Sequence, residues 1–380
     1  MDKQQKKSAA ISLFTFFTGA GFLDLGFEDA GFEAVFANEL VDDFADIYTY
    51  SRTRMKRGMP KYGLQRKSID CFLEQDEDKH YLGNAMKCER DAGKLVGFLG
   101  GPPCPDFSVG GKNKGAEGEH GRLSMSYAKL IVENLPDFFV FENVKGLWRT
   151  ARHRKFFDSL VDMFQGAGYA TTVRLINALE YGAPQDRDRI ILIGVKRTLL
   201  GLPEDCKEIT GFPWMAYVKY PLDVVKKIVW PKTSPFQAHS QSVPPDNIIE
   251  DLTVEHWFIK NDVEHHPNAS DYFTPRAGLT KMERFDEGDD SKKCYKRLHR
   301  WRYSPTAAYG NNEVHLHPYL ARRLSVAETL AIQSLPADYV MPPEIPLTAK
   351  FKTVGNGVPY LAALGVGNTL MTFLKREVMK

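Results

Sequence analysis

Residues 94–108 read KLVGFLGGPPCPDFS, and this stretch decides the expected fold. Its apolar run predicts a strand over Leu95–Leu99, and the glycines and prolines that follow predict a loop of restricted conformation. The loop delivers Cys104 to the carboxyl end of the strand, which is where open α/β sheets carry their ligands and chemistry. Because a lone cysteine is most often a packing residue, its assignment as a candidate nucleophile depends on the other motifs of the chain.

The first 195 residues alternate short apolar runs with amphipathic stretches, a pattern typical of βαβ units. We therefore predict an α/β fold with a doubly wound, mostly parallel sheet. The predicted strands are 11–17, 34–37, 95–99, 138–141, 171–176 and 190–195. Helices are predicted at 21–30, 124–134, 154–167, 321–334 and 365–378.

The chain has 380 residues, of which 43% are hydrophobic and 26% are charged, as in ordinary globular proteins. No stretch approaches the roughly 18 apolar residues of a membrane span, and the polar N-terminus lacks the apolar core of a signal peptide. The five scattered cysteines favour a reducing, cytoplasmic location over a disulfide framework. The pair His265–His266 has no further ligands at suitable spacing, so we predict no metal site.

Two motifs after the first strands suit a nucleotide-like ligand. Phe17–Phe22 forms a glycine-bearing turn that opens a helix, where the backbone can approach an anionic group closely. Glu39 ends the second strand, where an acid commonly binds the hydroxyls of a ribose. A tight turn without a ligand and a glutamate on the surface would show the same sequence patterns, so neither motif alone identifies a ligand site.

Two other motifs suit catalysis. Glu142 ends the strand FFVF, at the sheet edge where Cys104 is expected, and a buried acid beside a thiol is costly unless it is paired or used. Arg187 and Arg189 precede the strand at 190–195, and in extended backbone they point the same way. Two parallel guanidinium groups suit an anion or a polarised carbonyl, although a charged surface strand would look similar.

In their order along the chain, these motifs resemble those of the C5-cytosine DNA methyltransferases. The resemblance extends from about residue 12 to 370, apart from a variable stretch near 197–298. Any one block could arise by chance, whereas the ordered set is specific. The blocks are Phe-x-Gly-x-Gly at 17–21, Pro-Cys at 103–104, Glu-Asn-Val at 142–144, Gln-x-Arg-x-Arg at 185–189, Arg-Leu-Ser-x-x-Glu at 323–328 with Gln-Ser-Leu-Pro at 333–336, and Gly-Asn-Gly-Val-Pro at 355–359.

The resemblance implies a class I, Rossmann-like methyltransferase domain that uses S-adenosyl-L-methionine. Glu39 would bind the ribose, and Asn84 would accept a hydrogen bond from the adenine amine. Thr15 stands where the family usually has aspartate, and Phe22 stands where it has a second glycine, which would narrow the pocket. The cofactor-binding residues implied in this way are Phe17, Gly19, Ala20, Gly21, Glu39, Asn84, Pro102 and Asn356.

For catalysis, the resemblance implies that the Cys104 thiolate attacks C6 of a cytosine flipped out of the duplex. Glu142 would protonate or hydrogen-bond N3 of the base, and Arg189 would bind O2. Arg187 would order the loop or stabilise the thiolate. The methyl group then passes to C5, and loss of the C5 proton with β-elimination frees the cysteine.

The resemblance also implies a discontinuous catalytic domain, 1–196 plus 345–380, and a smaller irregular target-recognition domain at 197–344. Double-stranded DNA carrying a short recognition sequence would lie between them. Residues 291–302 hold six Lys or Arg and no acid, interleaved with aromatics, which suits phosphate and base contacts; a solvated charged face is the alternative. The predicted DNA contacts are Ser108, Gln185, Lys292, Lys293, Lys296, Arg297, Arg300 and Arg302.

Three other functions compete with DNA methylation. A tRNA-methylating relative would usually carry a Cys-Phe-Thr sequence that this chain lacks, and an inactive DNA-binding relative would not need Cys104, Glu142 and Arg189 together. A nicotinamide-dependent oxidoreductase would share only the glycine-rich turn. We therefore predict a monomeric restriction-modification enzyme that protects DNA from a partner endonuclease without forming a stable complex with it.

Overall fold

The computed structural model describes residues 11–103, 119–274, 282–292, 294–307, 309 and 314–379; the side chains of residues 119, 120 and 152 lie outside the description. Within these residues, seven strands form one sheet in the order β3-β2-β1-β4-β5-β7-β6. Only β7 runs antiparallel to its neighbours, so the predicted mostly parallel sheet is confirmed. The strands are β1 (Ile11–Phe16), β2 (Glu33–Asn38), β3 (Leu64–Gln65), β4 (Leu95–Gly100), β5 (Phe138–Val144), β6 (Tyr169–Asn177) and β7 (Asp188–Lys196).

Helices cover both faces of this sheet, as a doubly wound fold requires, and further helices belong to the later part of the chain. They are α1 (Phe22–Asp29), α2 (Asp42–Arg54), α3 (Cys71–Glu74), α4 (Asp76–Asp91), α5 (Glu119–Asn134), α6 (Gly146–Arg149), α7 (Ala151–Gly166), α8 (Leu222–Lys227), α9 (Val254–Lys260), α10 (Val326–Ile332), α11 (Leu347–Asn356) and α12 (Tyr360–Glu377). Residues of α4, α5 and α7 pack on one face, and α1 and α12 pack on the other.

The strand sequences explain this burial. Every residue of β1 is buried, which fits a central strand covered on both faces. On one face Phe14 and Phe16 join the aromatic side chains Phe36 and Phe98. On the opposite face α1 meets α12 so closely that a Cβ on Gly26 would lie 2.5 Å from the Cβ of Ala363. The two ends of the chain therefore share one core.

The helical stretch Leu347–Glu377 is apolar enough in composition to qualify as a membrane span, but 67% of its most apolar window is buried inside the protein. It is also interrupted at Gly357–Pro359, between α11 and α12. We interpret the stretch as a pair of core helices.

Residues 197–325 contain little regular structure, as the change in sequence character predicts. Besides α8, α9 and the short 3₁₀ helices Arg197–Leu200 and Glu250–Leu252, their described part holds a two-stranded parallel sheet, β8 (Lys296–Arg297) with β9 (His315–Leu316). Few backbone hydrogen-bond ladders form in this region, and hydrogen bonds from polar side chains hold it together instead. Arg300 donates to the carbonyl oxygen of Ser240, and the Trp301 indole donates to the hydroxyl of Ser242, so the run 295–302 fixes a long irregular segment.

Residues 326–344 contact the sheet domain directly. The Tyr339 hydroxyl donates to the carbonyl oxygen of Ala20 at 2.8 Å, and the Phe22 ring meets the Tyr339 ring edge-on. The boundary between the two domains at residue 344 stays a prediction. Helix α10 is shorter than the predicted 321–334, because Ser325 and Glu328 form a capping box that begins the helix at Val326.

Candidate active site

The turn between β1 and α1 lies at the carboxyl edge of the sheet. Phe17, Gly19 and Gly21 all have positive φ angles, of 54°, 57° and 83°. The turn is held by a hydrogen bond from the Gly21 amide to the Thr18 carbonyl oxygen and by one from the Gly19 amide to Glu39 Oε2, both of 2.8–2.9 Å. Its backbone is therefore preorganised next to the acid that ends β2, as predicted.

Glu39 is 8% exposed, and its second oxygen accepts a hydrogen bond from the Val41 amide at 2.8 Å. Burial raises the pKa of its carboxyl, and the bonds from the Val41 and Gly19 amides oppose that rise. The next residue, Leu40, is 62% exposed. A buried carboxylate beside an exposed apolar side chain suits a ribose and the base attached to it.

Asn84 does not follow a strand end, and its role as an adenine ligand stays a prediction. It is an exposed residue in the middle of α4. Asp70 is the better candidate, because it follows β3, the neighbour of β2 in the sheet. Its carboxylate accepts hydrogen bonds from Ser126 at 2.6 Å and from Arg122, and these donors outweigh burial and lower its pKa. The spacing from Cys104 did not reveal Asp70, because β3 has only two residues.

Helix α11 closes the same edge. A Cβ on Gly19 would lie 3.9 Å from Thr353 Oγ1, and exposed Asn356 ends the helix. Phe22 does not narrow a ligand pocket as predicted. It is 3% exposed, and its ring lies against the backbone of Gly357, where a Cβ would come within 2.3 Å.

The predicted catalytic acid and base-binding arginine lie together. Arg189 Nε is 2.8 Å from Glu142 Oε1, and each side chain is 10% exposed. Burial raises the pKa of Glu142, while the charges of Arg189 and Arg187 oppose the rise. A Cβ on Gly101 would lie 2.5 Å from Glu142 Oε2, so the carboxylate occupies space that any other residue at position 101 would fill.

The loop that leads to Cys104 begins beside this ion pair. Asn143 Nδ2 donates to the carbonyl oxygen of Pro102 at 3.4 Å, and Asn143 Oδ1 accepts from the Val144 amide. Pro103 is the last described residue of this loop. Cys104 and Ser108 lie outside the described residues, and so does Lys293. Position 104 is therefore one peptide unit beyond a loop anchored on the Glu142 strand.

Arg187 has a different environment from Arg189. It is 2% exposed, and it donates to the carbonyl oxygens of Ala307 at 2.7 Å and Gly355 at 2.6 Å. Burial, followed by the charge of Arg189, lowers its pKa below the usual arginine value. Arg187 thus joins the start of β7 to Ala307 and Gly355, which fits its predicted role in ordering the loop. Among the described residues it makes no direct hydrogen bond to Glu142.

Three of the predicted DNA contacts are buried. Gln185 and Arg297 are fully buried and Arg300 is 4% exposed. Arg297 donates to four backbone carbonyl oxygens, of Phe285, His317, Leu320 and Met282, and Arg300 forms a two-oxygen ion pair with Glu287. These side chains are occupied inside the protein, which corrects their assignment to DNA. Of the others, Lys292 is exposed, Lys296 is half-buried and Arg302 pairs with Asp290.

A second basic surface was missed. Residues 145–155, directly after β5, hold five Lys or Arg and no acid. Arg149 and Lys155 are exposed, whereas Lys145 pairs with Asp188 and Arg154 with Asp158. The absence of acids over eleven residues is the signal that the sequence offers for this surface.

The family model for C-5 cytosine-specific DNA methylases matches residues 11–371. The chain belongs to this family. It is therefore a DNA (cytosine-5-)-methyltransferase. The turn at 17–21, Glu39 and the Glu142–Arg189 pair lie at one edge of the sheet of this family member.

Individual comparisons agree with this membership. The chain is 54% identical to the Type II methyltransferase M.NmeDI of Neisseria meningitidis serogroup C over 375 residues, covering 99% of this chain and 86% of that relative. It is 28% identical to the Type II methyltransferase M.FnuDI of Fusobacterium nucleatum, covering 95% of each. Among solved structures, an E. coli prophage protein described as a DNA modification methyltransferase superposes with a TM-score of 0.63 at 20% identity, covering 96% of this chain and 99% of that one.

Proposed function

We propose that this methylase transfers the methyl group of S-adenosyl-L-methionine to C5 of a flipped cytosine in a short recognition sequence, with Cys104 as nucleophile. The observation that carries the proposal is the buried ion pair between Glu142 and Arg189, packed on Gly101 at the start of the loop that leads to Cys104. Because Gly101 has no side chain, the Glu142 carboxylate can take this position, where we propose that it meets the substrate.

The residues at the edges of β1, β2 and β3 fit the cofactor. Glu39 keeps free lone pairs for two ribose hydroxyls after accepting the Gly19 and Val41 amides. Asp70, which follows β3, is proposed to accept the adenine amine, and exposed Leu40 offers an apolar surface to the ring. When bound, S-adenosyl-L-methionine supplies an electrophilic methyl group on sulfur.

The base is activated by residues of the chain itself. Attack of the Cys104 thiolate on C6 forms a carbon–sulfur bond and moves the ring electrons toward N3 and C5. Glu142 gives or shares a proton at N3, so no full negative charge develops on the ring. Arg189 keeps the Glu142 carboxyl oriented and presents its remaining N–H groups to O2 of the base. After methylation, loss of the C5 proton returns the electron pair and expels the thiolate.

Basic residues that are exposed or half-buried supply the DNA surface in this proposal. Arg149 and Lys155 follow the strand that ends in Glu142, and Lys292 and Lys296 belong to the smaller domain. Phosphate contacts from both sides would hold the duplex across the sheet edge while the target base leaves the stack.

The curated relatives are named Type II methyltransferases, as in restriction-modification systems. We infer the same role here: a cytoplasmic monomer that protects host DNA from a partner endonuclease acting separately. The 54% identity over nearly the whole chain supports this role.

The test is methylation of unmethylated plasmid DNA with S-adenosyl-L-methionine, followed by bisulfite sequencing, with Cys104→Ala in parallel. We expect protected cytosines in one recurring short motif, and none with the variant. Cofactor binding without any protection would instead favour an RNA substrate or an inactive binding protein, and transfer RNA would be the next substrate tried.

A further inference from the structure

Two acids alternate with the two arginines at the start of β7. Residues 185–189 read QDRDR, so Asp186 and Asp188 lie on either side of Arg187 and within three residues of Arg189. In extended backbone the side chains of the two acids point to one side and those of the two arginines point to the other. Two negative charges therefore lie close to the arginine that is proposed to bind the base.

Every carboxylate oxygen of these two acids accepts a hydrogen bond. The side-chain amide of Asn177 donates to Oδ1 of Asp186 at 2.7 Å and to Oδ1 of Asp188 at 2.9 Å. Lys226 donates to Oδ2 of Asp186 at 2.5 Å, and Lys145 donates to Oδ2 of Asp188. The two ammonium groups thus balance the charges of the two carboxylates, and the amide bridges the acids without adding a charge.

The two lysines come from different parts of the chain. Lys145 follows β5, whereas Lys226 is on α8, in the region with little regular structure. Val225, the neighbour of Lys226, is fully buried in one apolar cluster with Leu179. Lys226 also donates to the Tyr303 hydroxyl at 3.2 Å, and its Nζ lies 4.9 Å from the centre of that ring. The Lys226 side chain is thus held by further contacts besides its ion pair.

The exposure of the pair between Lys226 and Asp186 argues against a purely structural role. The two side chains are 41% and 36% exposed, and ion pairs as exposed as this contribute little to stability. The backbone of Asp186 is also anchored independently. Its amide donates to the carbonyl oxygen of Ser304 at 2.9 Å, and its carbonyl oxygen accepts from the Thr306 hydroxyl at 2.6 Å. We therefore expect the loop to keep its position when Lys226 is removed.

The charge on Asp186 matters for DNA, which carries a negative charge at every phosphate. Because an extended chain spans at most about 3.6 Å per residue, the Cα atom of Asp186 lies within about 11 Å of that of Arg189. Charges interact over about 10 Å at ordinary salt concentrations. When a base reaches Arg189, the phosphates on either side of it approach this range, and a carboxylate without a counter-charge would repel them.

We propose that Lys226 and Lys145 are positioning residues that neutralise Asp186 and Asp188, so that the DNA backbone can approach Arg189. The inference rests on the proposed role of Arg189 in binding the base. Lys226 acts through Asp186 and makes no phosphate contact of its own. Its contribution is therefore to the approach of DNA and not to the chemical step.

The experiment measures KM for unmethylated plasmid DNA and kcat at about 0.05 M and about 0.3 M salt. At low salt Lys226→Ala should raise KM at least threefold and leave kcat within twofold of the wild type. At high salt, where charges are screened, the rise in KM should fall below twofold. Adding Asp186→Asn to Lys226→Ala should return KM to within twofold of the wild type, because the acid that needs neutralising is then gone.

Lys227→Ala is the matched control. It removes the same charge from the same helix, but the partner of Lys227 is Asp223, and both side chains are exposed. Its KM should stay within twofold of the wild type. A rise in KM for Lys226→Ala that Asp186→Asn does not reverse would show a direct phosphate contact by Lys226. That result would overturn the proposal, as would an unchanged KM for Lys226→Ala or an equal rise for Lys227→Ala.

A second pair of variants keeps the test open if Lys226→Ala folds poorly, which its unfolding midpoint would show. Lys145→Ala should raise KM in the same way, and Asp188→Asn should reverse the rise. A rise that Asp188→Asn leaves in place would overturn the role of Lys145. Absence of turnover by the wild type would overturn the proposed function instead. The same variants are then compared by fluorescence anisotropy on a short duplex, where the expected changes apply to Kd.

Discussion

Arg187 donates a hydrogen bond of 2.6 Å to the carbonyl oxygen of Gly355, a residue 168 positions later in the chain. Its other terminal nitrogen donates to Ala307. One buried side chain, directly before β7, thus joins this strand to Ala307 and to helix α11. Arg187 and Arg189 are two residues apart, yet their contacts indicate a structural and a chemical role.

We predict that Arg187→Ala destabilises the protein by about 3 kcal/mol or more, because it leaves the buried carbonyl oxygen of Ala307 and the partly buried one of Gly355 without their donor. Urea unfolding measures this directly. Arg189→Ala should lose activity to a similar or greater degree with a smaller loss of stability, since its partner Glu142 can be protonated when unpaired. Equal stability losses for the two variants would contradict the division of roles.

Gly101→Ala should reduce kcat by about 100-fold or more, because its Cβ would displace the Glu142 carboxylate from the position that meets the base. Steady-state kinetics on plasmid DNA give the number. The matched control is Gly83→Ala, in the middle of α4, where an added Cβ meets no atom within 4 Å. That variant should retain full activity and gain up to about 1 kcal/mol of stability.

The pH dependence of kcat should have an alkaline limb set by Glu142. Burial raises the pKa of this carboxyl, so its protonated form is present at low pH and is lost as the pH rises through that raised value. A group that donates to N3 becomes less effective above it. Glu142→Gln should remove the limb and lower kcat by about 10²- to 10⁴-fold. Persistence of the limb in the variant would assign it to another group.

The two candidates for the adenine contact give opposite expectations. Asp70→Ala should raise the Kd for S-adenosyl-L-methionine at least tenfold, whereas Asn84→Ala should change it less than twofold, because its side chain is exposed on α4. Asp70 also accepts bonds from Ser126 and Arg122. The unfolding midpoint of each variant must therefore be measured beside the titration, and a loss of affinity that Asn84→Ala shares would argue against Asp70.

Exposed and buried basic residues should differ in how their removal changes the salt dependence of DNA binding. Removing a phosphate contact lowers the slope of log K against log salt by about 1. We expect this of Arg149→Ala and of Lys155→Ala, measured by fluorescence anisotropy on a short duplex. Arg300→Ala should instead leave the slope unchanged and lower the unfolding midpoint, because Arg300 is bound to Glu287 and Ser240 inside the protein.

The sequence predicted the sheet well because its central strands are buried runs that end in recognisable turns. β1 and β5 are of this kind, and they carried Gly19 and Glu142 to their observed edge. β3 has two residues and no apolar run, so the acid that follows it went unnoticed. Side-chain partners were harder still. Composition cannot tell a lysine on a surface from an arginine that holds four carbonyl oxygens, and Arg297 was misassigned for that reason.

The shared core of the two chain ends has a consequence for biosynthesis. While a ribosome is still synthesising the chain, β1, α1 and the turn between them emerge early, but α12, which packs against α1, is made more than 300 residues later. Arg187 likewise gains its hydrogen bond to the carbonyl oxygen of Gly355 only after that residue has been synthesised. The core and the hydrogen bonds of Arg187 are therefore completed only after α11 and α12 have been synthesised, so methylation should appear late in the synthesis of the chain.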